Sequence, residues 1–149
     1  MNILEAINQK SFNSSFEKAV VNLVYTHNWY RDKYQGVYKT YGFKMQHYNI
    51  LRILKGSYPK ALSPGEIKEV MLDKAPDLTR LIDKLVEMDL VDRHICPDNR
   101  RKMDVLITIK GRQILSDLNK NQKKVQSQPN PLTEAEAEQL SSLLDKLRH

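Results

Sequence analysis

The stretch PDLTRLIDKLVEMDLVDRHICPDNRRKMDVLITIKG, residues 76–111, decides how the chain is read. Its first half has a helical period. Leu78, Leu81, Ile82 and Leu85 fall at i, i+3, i+4 and i+7 and share one face, while Thr79, Arg80, Asp83, Lys84 and Glu87 take the other. After Leu90 the period changes to two. Val91, Arg93 and Ile95 alternate with polar neighbours, as do Val105, Ile107 and Ile109, which predicts two short strands. The tip between them, Cys96 to Lys102, ends in Arg100-Arg101-Lys102. Three adjacent cations make poor core and a good contact for phosphate.

Upstream, Ser63-Pro64-Gly65-Glu66 is a capping box with proline at the first helical position. Ile67, Val70 and Met71 give a short helix its apolar face, and Leu72 to Ala75 make a turn into the longer helix. Short helix, turn, longer helix and basic hairpin together form a winged helix-turn-helix pattern.

These residues resemble the MarR family of transcription regulators. Thr79 to Leu85, with Leu90-Val91 following, is similar to that family's recognition helix and its exit. Asn99-Arg100-Arg101, Val105, Ile107-Thr108 and Lys110-Gly111 are similar to its wing signature. Two positions depart from the pattern. Asn99 stands where the family usually has Asp, and Asp89 where it usually has Gly. Asp tolerates the left-handed conformation better than most residues, so the helix exit is expected to survive. The resemblance is specific over residues 63–111 and general elsewhere.

The flanks are helical. Ser14 and Glu17 form a capping box after a short lead-in, and Phe16, Ala19, Val20, Leu23, Val24 and His27 form a stripe that Val21 and Tyr25 widen. So broad an apolar arc is expected to be buried on more than one side, with another subunit as a candidate for the second partner in so small a chain. Trp29, Tyr30, Tyr34, Tyr38, Tyr41 and Phe43 follow, with Gly36 and Gly42 expected to bracket the passage to a helix over Met45 to Lys55 that Gly56 ends. The plain reading of these rings is a packed corner with hydroxyls facing water. The sharper one is an effector pocket using His27, Tyr30, Tyr34 and Tyr48; the resemblance implies small aromatic or phenolic ligands there. After Gly111, Ile114, Leu115 and Leu118 continue a helix that runs out into the polar segment Asn119 to Pro131. Thr133 and Glu136 cap a last helix with the stripe Leu140, Leu143, Leu144 and Leu147, which requires a partner.

Charge is uneven. Net charge is +6 over 149 residues; residues 1–60 carry nine basic and three acidic side chains, residues 93–112 six and two, and residues 132–149 two and four. A basic body favours polyanions. The single cysteine, Cys96, excludes an internal disulfide and fits a reducing compartment. It is expected at the base of the wing as a bystander thiol. No apolar run has signal-peptide or membrane-span length, so a cytoplasmic chain without membrane contact is expected. His27, His47, His94 and His149 lack metal-ligand spacing, and no phosphate-binding glycine loop or Gly-x-Ser-x-Gly elbow occurs. No enzyme, metal or cofactor is expected.

The expected architecture is mainly α with a small β-hairpin wing, one domain over residues 1–149. Residues of about 40–112 form the DNA-binding lobe; about 12–38 and 113–149 form dimerisation helices. The resemblance implies a homodimer on a palindromic operator, a repressor released by an effector. Double-stranded DNA would meet Asp77, Thr79, Arg80 and Lys84 from the recognition helix. Arg80 would read a base edge, Lys84 would hold a phosphate, and Asp77 in the first turn would favour the helix dipole. From the wing it would meet Asn99, Arg100, Arg101 and Lys102, Arg101 entering the minor groove. The rival reading is a winged-helix module that pairs with proteins and leaves DNA alone.

Overall fold

A computed structural model describes residues 1–74, 77–126 and 131–149. Ala75, the end of the expected turn, lies outside the described residues, as do Pro76 and Pro129. The elements run α1 (Ile3–Ala6), α2 (Ser15–Lys39), α3 (Met45–Ser57), α4 (Pro64–Val70), α5 (Leu78–Glu87), β1 (Val91–Cys96), β2 (Asn99–Ile107), α6 (Ile109–Gln126) and α7 (Glu134–Leu147). The fold is therefore mainly helical with one antiparallel hairpin.

The core sits where α3, α5 and the hairpin meet α6. Ile50, Leu51 and Leu54 from α3, Ile82 and Leu85 from α5, Leu90 and Val91, Val105 and Ile107, and Leu115 and Leu118 from α6 are almost fully buried. The expected stripe of Leu78, Leu81, Ile82 and Leu85 is the buried face of α5. Ser63 and Glu66 form the reciprocal capping box at α4, as Thr133 and Glu136 do at α7. At α2, Ser14 accepts the Glu17 N–H, but Glu17 reaches back to the N–H of Asn13, one residue earlier than a box requires.

The junction after α5 explains several residues of the wing signature. Asp89 is left-handed (φ 58°). The Leu90 N–H bonds Leu85 O and the Asp89 N–H bonds Val86 O, both at 2.9 Å, the two bonds of a Schellman stop. Thr108 donates its N–H to Leu90 O at 3.1 Å and its hydroxyl to Asp89 O at 2.8 Å, while its oxygen accepts the Gly111 N–H at 2.9 Å. Lys110 Nζ donates to Met88 O at 2.9 Å. One short segment thus closes α5, receives the returning strand and starts α6. Gly111 is required by space: a Cβ there would lie 2.1 Å from Leu90 O.

Several boundaries differ from expectation. Ile109 is in α6, not the second strand, because Thr108 caps the helix. Gly56 lies inside α3, which runs to Ser57; Tyr58, extended ahead of Pro59, ends it. Gly36 is inside α2, and Gly42 (φ 69°) alone makes the turn. The lead-in contains α1, capped by Asn2. The polar segment from Asn119 remains helical to Gln126.

The hydroxyls of Tyr38, Tyr41 and Tyr48 are bonded within the chain rather than left to water. Tyr48 Oη lies 2.7 Å from Asn119 Oδ1 and 3.0 Å from Gln122 Oε1. Gln122 Nε2 donates to Tyr38 Oη at 2.7 Å, and Asn121 Nδ2 to Tyr41 Oη at 3.0 Å. Amides on α6 satisfy phenols that would otherwise be buried unpaired. Burial, and then the neighbouring Tyr48, push the Tyr38 phenol up to about 12, so it stays neutral.

Within one chain the N-terminal half of α2 stays largely exposed. Phe16 and Val24 are 66% and 55% exposed, and α7 has no buried residue, with Leu140, Leu143 and Leu147 all exposed.

Gly111→Ala is expected to destabilise the chain by about 3 kcal/mol or more, because the methyl group meets a backbone carbonyl that cannot turn aside. Urea unfolding measures it; a midpoint within error of wild type would show that the junction has slack.

Candidate nucleic-acid interface

Helix α5 exposes one polar face. Thr79 and Arg80 are exposed in its first turn. Asp77 is the N-cap rather than a first-turn residue, and its side chain makes no capping bond. Asp83 is bound by Arg93 of β1 at 2.5 Å, which joins the helix to the wing. Lys84 Nζ donates to the carbonyl of Gly42 at 2.6 Å, so its ammonium is already engaged by the α2–α3 turn.

The wing differs from a basic loop. Its turn is only Pro97-Asp98, and the cations belong to β2. The ladder pairs Ile95 with Met103 and Cys96 with Asn99. Arg100, Arg101 and Lys102 therefore bulge out opposite a single peptide link. A bulge of this kind re-aims side chains and ends regular pairing. Asn99 Oδ1 accepts the Arg101 N–H at 3.0 Å. The amide thus organises the backbone of Arg101, leaving its guanidinium without an ion pair among the described residues. Lys102 lies near Glu66, whose carboxylate is held below its usual range chiefly by the N–H and hydroxyl of Ser63, with Lys60 and Lys102 adding. Leu62 pairs with Val105 through two backbone bonds of 3.0 and 2.8 Å, so the wing is braced against the segment entering α4. Cys96 is at the tip of the wing, not its base.

A cavity of about 740 Å³ opens between α2, α3 and the segment 72–74. His27 lines it; Tyr30, Tyr34 and Tyr48 do not. Tyr30 packs against Tyr34 at 4.3 Å with tilted rings, and Tyr48 against Tyr38 at 5.4 Å. The aromatic walls are Tyr38 and Phe43, with Arg31, Lys39, Lys44 and Lys74 around them. The spacing 27, 31, 35 and 38 places His27, Arg31, Gln35 and Tyr38 on one face of α2, a signal present in the sequence beside the more conspicuous tyrosines.

His47 is buried beside this cavity and stacks on Phe43. Its Nδ1 accepts the Lys44 N–H at 2.9 Å. Burial, then the Lys84 and Lys44 charges, pull its pKa down to about 4. Among the described residues no cluster of three His, Cys, Asp or Glu could hold a metal ion, and no helix is long and apolar enough to cross a membrane.

Residues 43–103, from the α2–α3 turn through the wing, match the model of the MarR family. A MarR transcription factor from Planctomyces limnophilus is 28% identical, with 93% of this chain and 98% of that chain covered at a TM-score of 0.69. Over residues 43–103 the chain carries a MarR-family lobe. With the likeness to the Planctomyces transcription factor, this makes it a DNA-binding transcription regulator and not an enzyme. Two more distant structures share its fold. One is a mutant Escherichia coli MarR complexed with operator DNA (21% identity, 99% of each chain, TM-score 0.72). The other is Bordetella bronchiseptica BpsR, whose DNA binding is regulated by 6-hydroxynicotinic acid (20% identity, 93% and 98% covered, TM-score 0.77). The family match ends before α6, so in this chain α2, α6 and α7 are placed by the likeness of whole folds.

The depressed His47 pKa has a definite sign. The folded state disfavours the proton that the unfolded imidazole takes up near pH 6.5, so this stability is complete above pH 6.5 and is lost as pH falls toward 4. The loss at full protonation is of the order of 3 kcal/mol. Unfolding of wild type and His47→Gln, compared between pH 7 and 4.5, is expected to show a steeper fall for wild type; parallel pH profiles would contradict it.

Proposed function

We propose that the chain binds a palindromic duplex operator as a homodimer and is released by a small aromatic effector, acting as a repressor in the cytoplasm. What carries the reading is the exposure of both Thr79-Arg80 on α5 and the bulged Arg100-Arg101-Lys102 of the wing. Two guanidinium groups are presented, on two differently shaped elements. A guanidinium at the start of a helix suits the two acceptors of a guanine edge in the major groove. A second one on a thin hairpin suits the narrow minor groove beside it. Arg100 and Lys102 flank it on phosphates, Asn99 sets the wing backbone, and Thr79 and Asp77 border the base-reading Arg80.

The dimer reading is supported by the apolar residues that α2 and α7 leave exposed. Phe16, Val24, Leu140 and Leu143 amount to more unpartnered apolar surface than single scattered residues. Residues of about 12–38 and 113–149 would supply the two-fold contact, and about 40–112 the DNA-binding lobe. Two-fold symmetry would place the recognition helices about one DNA turn apart. The operator complex of the Escherichia coli relative supports the same reading by analogy of fold.

The effector reading rests on the cavity walled by Tyr38 and Phe43, with His27 at its edge. The ligand-regulated Bordetella relative supports it. An effector that prefers a dimer with misplaced helices lowers DNA affinity by its differential affinity for that state.

Selection of the purified protein on random duplex DNA at near-physiological salt is expected to recover a palindrome with half-sites one helical turn apart. On that duplex, Arg101→Ala is expected to bind at least tenfold more weakly, roughly 1.4 kcal/mol, with little change in melting temperature. Recovery of no motif by folded protein would refute operator recognition, and full affinity in the variant would remove the wing from it.

A further inference from the structure

The recognition helix is tied to the cavity at both ends. Toward its C-terminus, Lys84 Nζ donates to Gly42 O at 2.6 Å, and the next two residues, Phe43 and Lys44, line the cavity. Gly42 is left-handed (φ 69°), so its carbonyl is aimed by a turn that most other residues would strain. Ahead of its N-terminus, the segment 72–74 is held by α3. Asn49 Oδ1 accepts the Leu72 N–H at 2.9 Å, and Gln46 Nε2 donates to Asp73 Oδ2 at 2.9 Å. Gln46, Asn49, Leu72 and Asp73 all line the same cavity.

We propose that Lys84 is a positioning residue, not a phosphate ligand. It ties the recognition helix to the Gly42 carbonyl, and together with the Gln46–Asp73 and Asn49–Leu72 bonds it suspends that helix from the rim of the cavity. A lysine committed to a carbonyl loses that bond when it turns to a phosphate, whereas Arg80, one helical turn earlier, is exposed and has no ion pair among the described residues. The three ties are polar and short in reach; the Gln46–Asp73 and Asn49–Leu72 bonds join residues of the cavity lining, and the Gly42 carbonyl adjoins the lining residue Phe43. A ligand that competes for Gln46 or Asn49 frees the segment leading into α5. One that pushes on Phe43 moves the turn that Lys84 grips. Either changes the pitch of the helix without touching its DNA-facing side. The inference rests on α5 being the recognition helix.

The test separates tie from phosphate contact by salt dependence. Each protein–phosphate contact adds about 0.9 to the slope of log affinity against log salt. With the duplex recovered by selection, Lys84→Gln is expected to bind about fivefold more weakly, as for loss of one exposed charge-assisted bond, with the wild-type slope. In the free protein, amide exchange at residues 42–44 is expected to quicken. Gln46→Ala, which cuts the other end, is expected to weaken binding at an unchanged slope too. A slope lower by about 0.9 in Lys84→Gln would make Lys84 a phosphate ligand and overturn the inference, and so would unchanged exchange at the turn. Should wild type bind no duplex selectively, the DNA reading fails, while the exchange measurement still decides the tie.

Discussion

The carbonyl of Leu90 is where the recognition helix, the wing and α6 become one rigid piece. It accepts the Thr108 N–H, and Gly111 passes so close that no side chain fits between them. The exposed face of α5 and the wing are both aimed from this point. The Schellman stop at Asp89 turns the chain from α5 into β1, and Lys110 occupies Met88 O, a free carbonyl at the end of α5. Arg93 then holds Asp83, so strand and helix are also joined by an ion pair on the surface. A half-exposed pair of this kind adds little stability, but it fixes a direction. The helix and hairpin that carry Arg80 and Arg101 are therefore joined as a unit, which is what the proposed reading of two adjacent grooves requires.

What the sequence made legible follows from the strength of its periods. Leu78, Leu81, Ile82 and Leu85 left no doubt about α5, since the four buried positions allow only one helical face. The capping boxes at Ser63 and Thr133 marked helix starts to the residue. Ile109 was misassigned because alternation after Val105 continues for one residue past the strand, and period alone cannot see that Thr108 caps a helix. The bulge of Arg100 to Lys102 was equally hidden. A run of cations reads as a loop, and only the pairing of Cys96 with Asn99 reveals a two-residue turn followed by three unpaired positions.

The aromatic segment was the hardest to read because its partners are distant in sequence. Asn119, Asn121 and Gln122 look like the frayed end of a helix, yet they satisfy Tyr48, Tyr41 and Tyr38. Local composition signals exposure, while hydrogen-bond demand from another helix dictates burial. In α2 the apolar N-terminal half demands burial, and among the described residues of one chain Phe16 and Val24 stay exposed. Apolar pattern reports the need for a partner and not which chain supplies it.

The wing bulge has a consequence for how such a regulator can change over generations. Arg100, Arg101 and Lys102 sit between rungs of the ladder, and their side chains contribute nothing to the core. Substitutions there leave folding almost untouched, so this is a place where mutation can explore new recognition at low risk. Thr108, Lys110 and Gly111, a few residues on, have no such freedom, since each closes the junction. A lineage carrying this fold should drift quickly at the tip of the hairpin and hardly at all at its root.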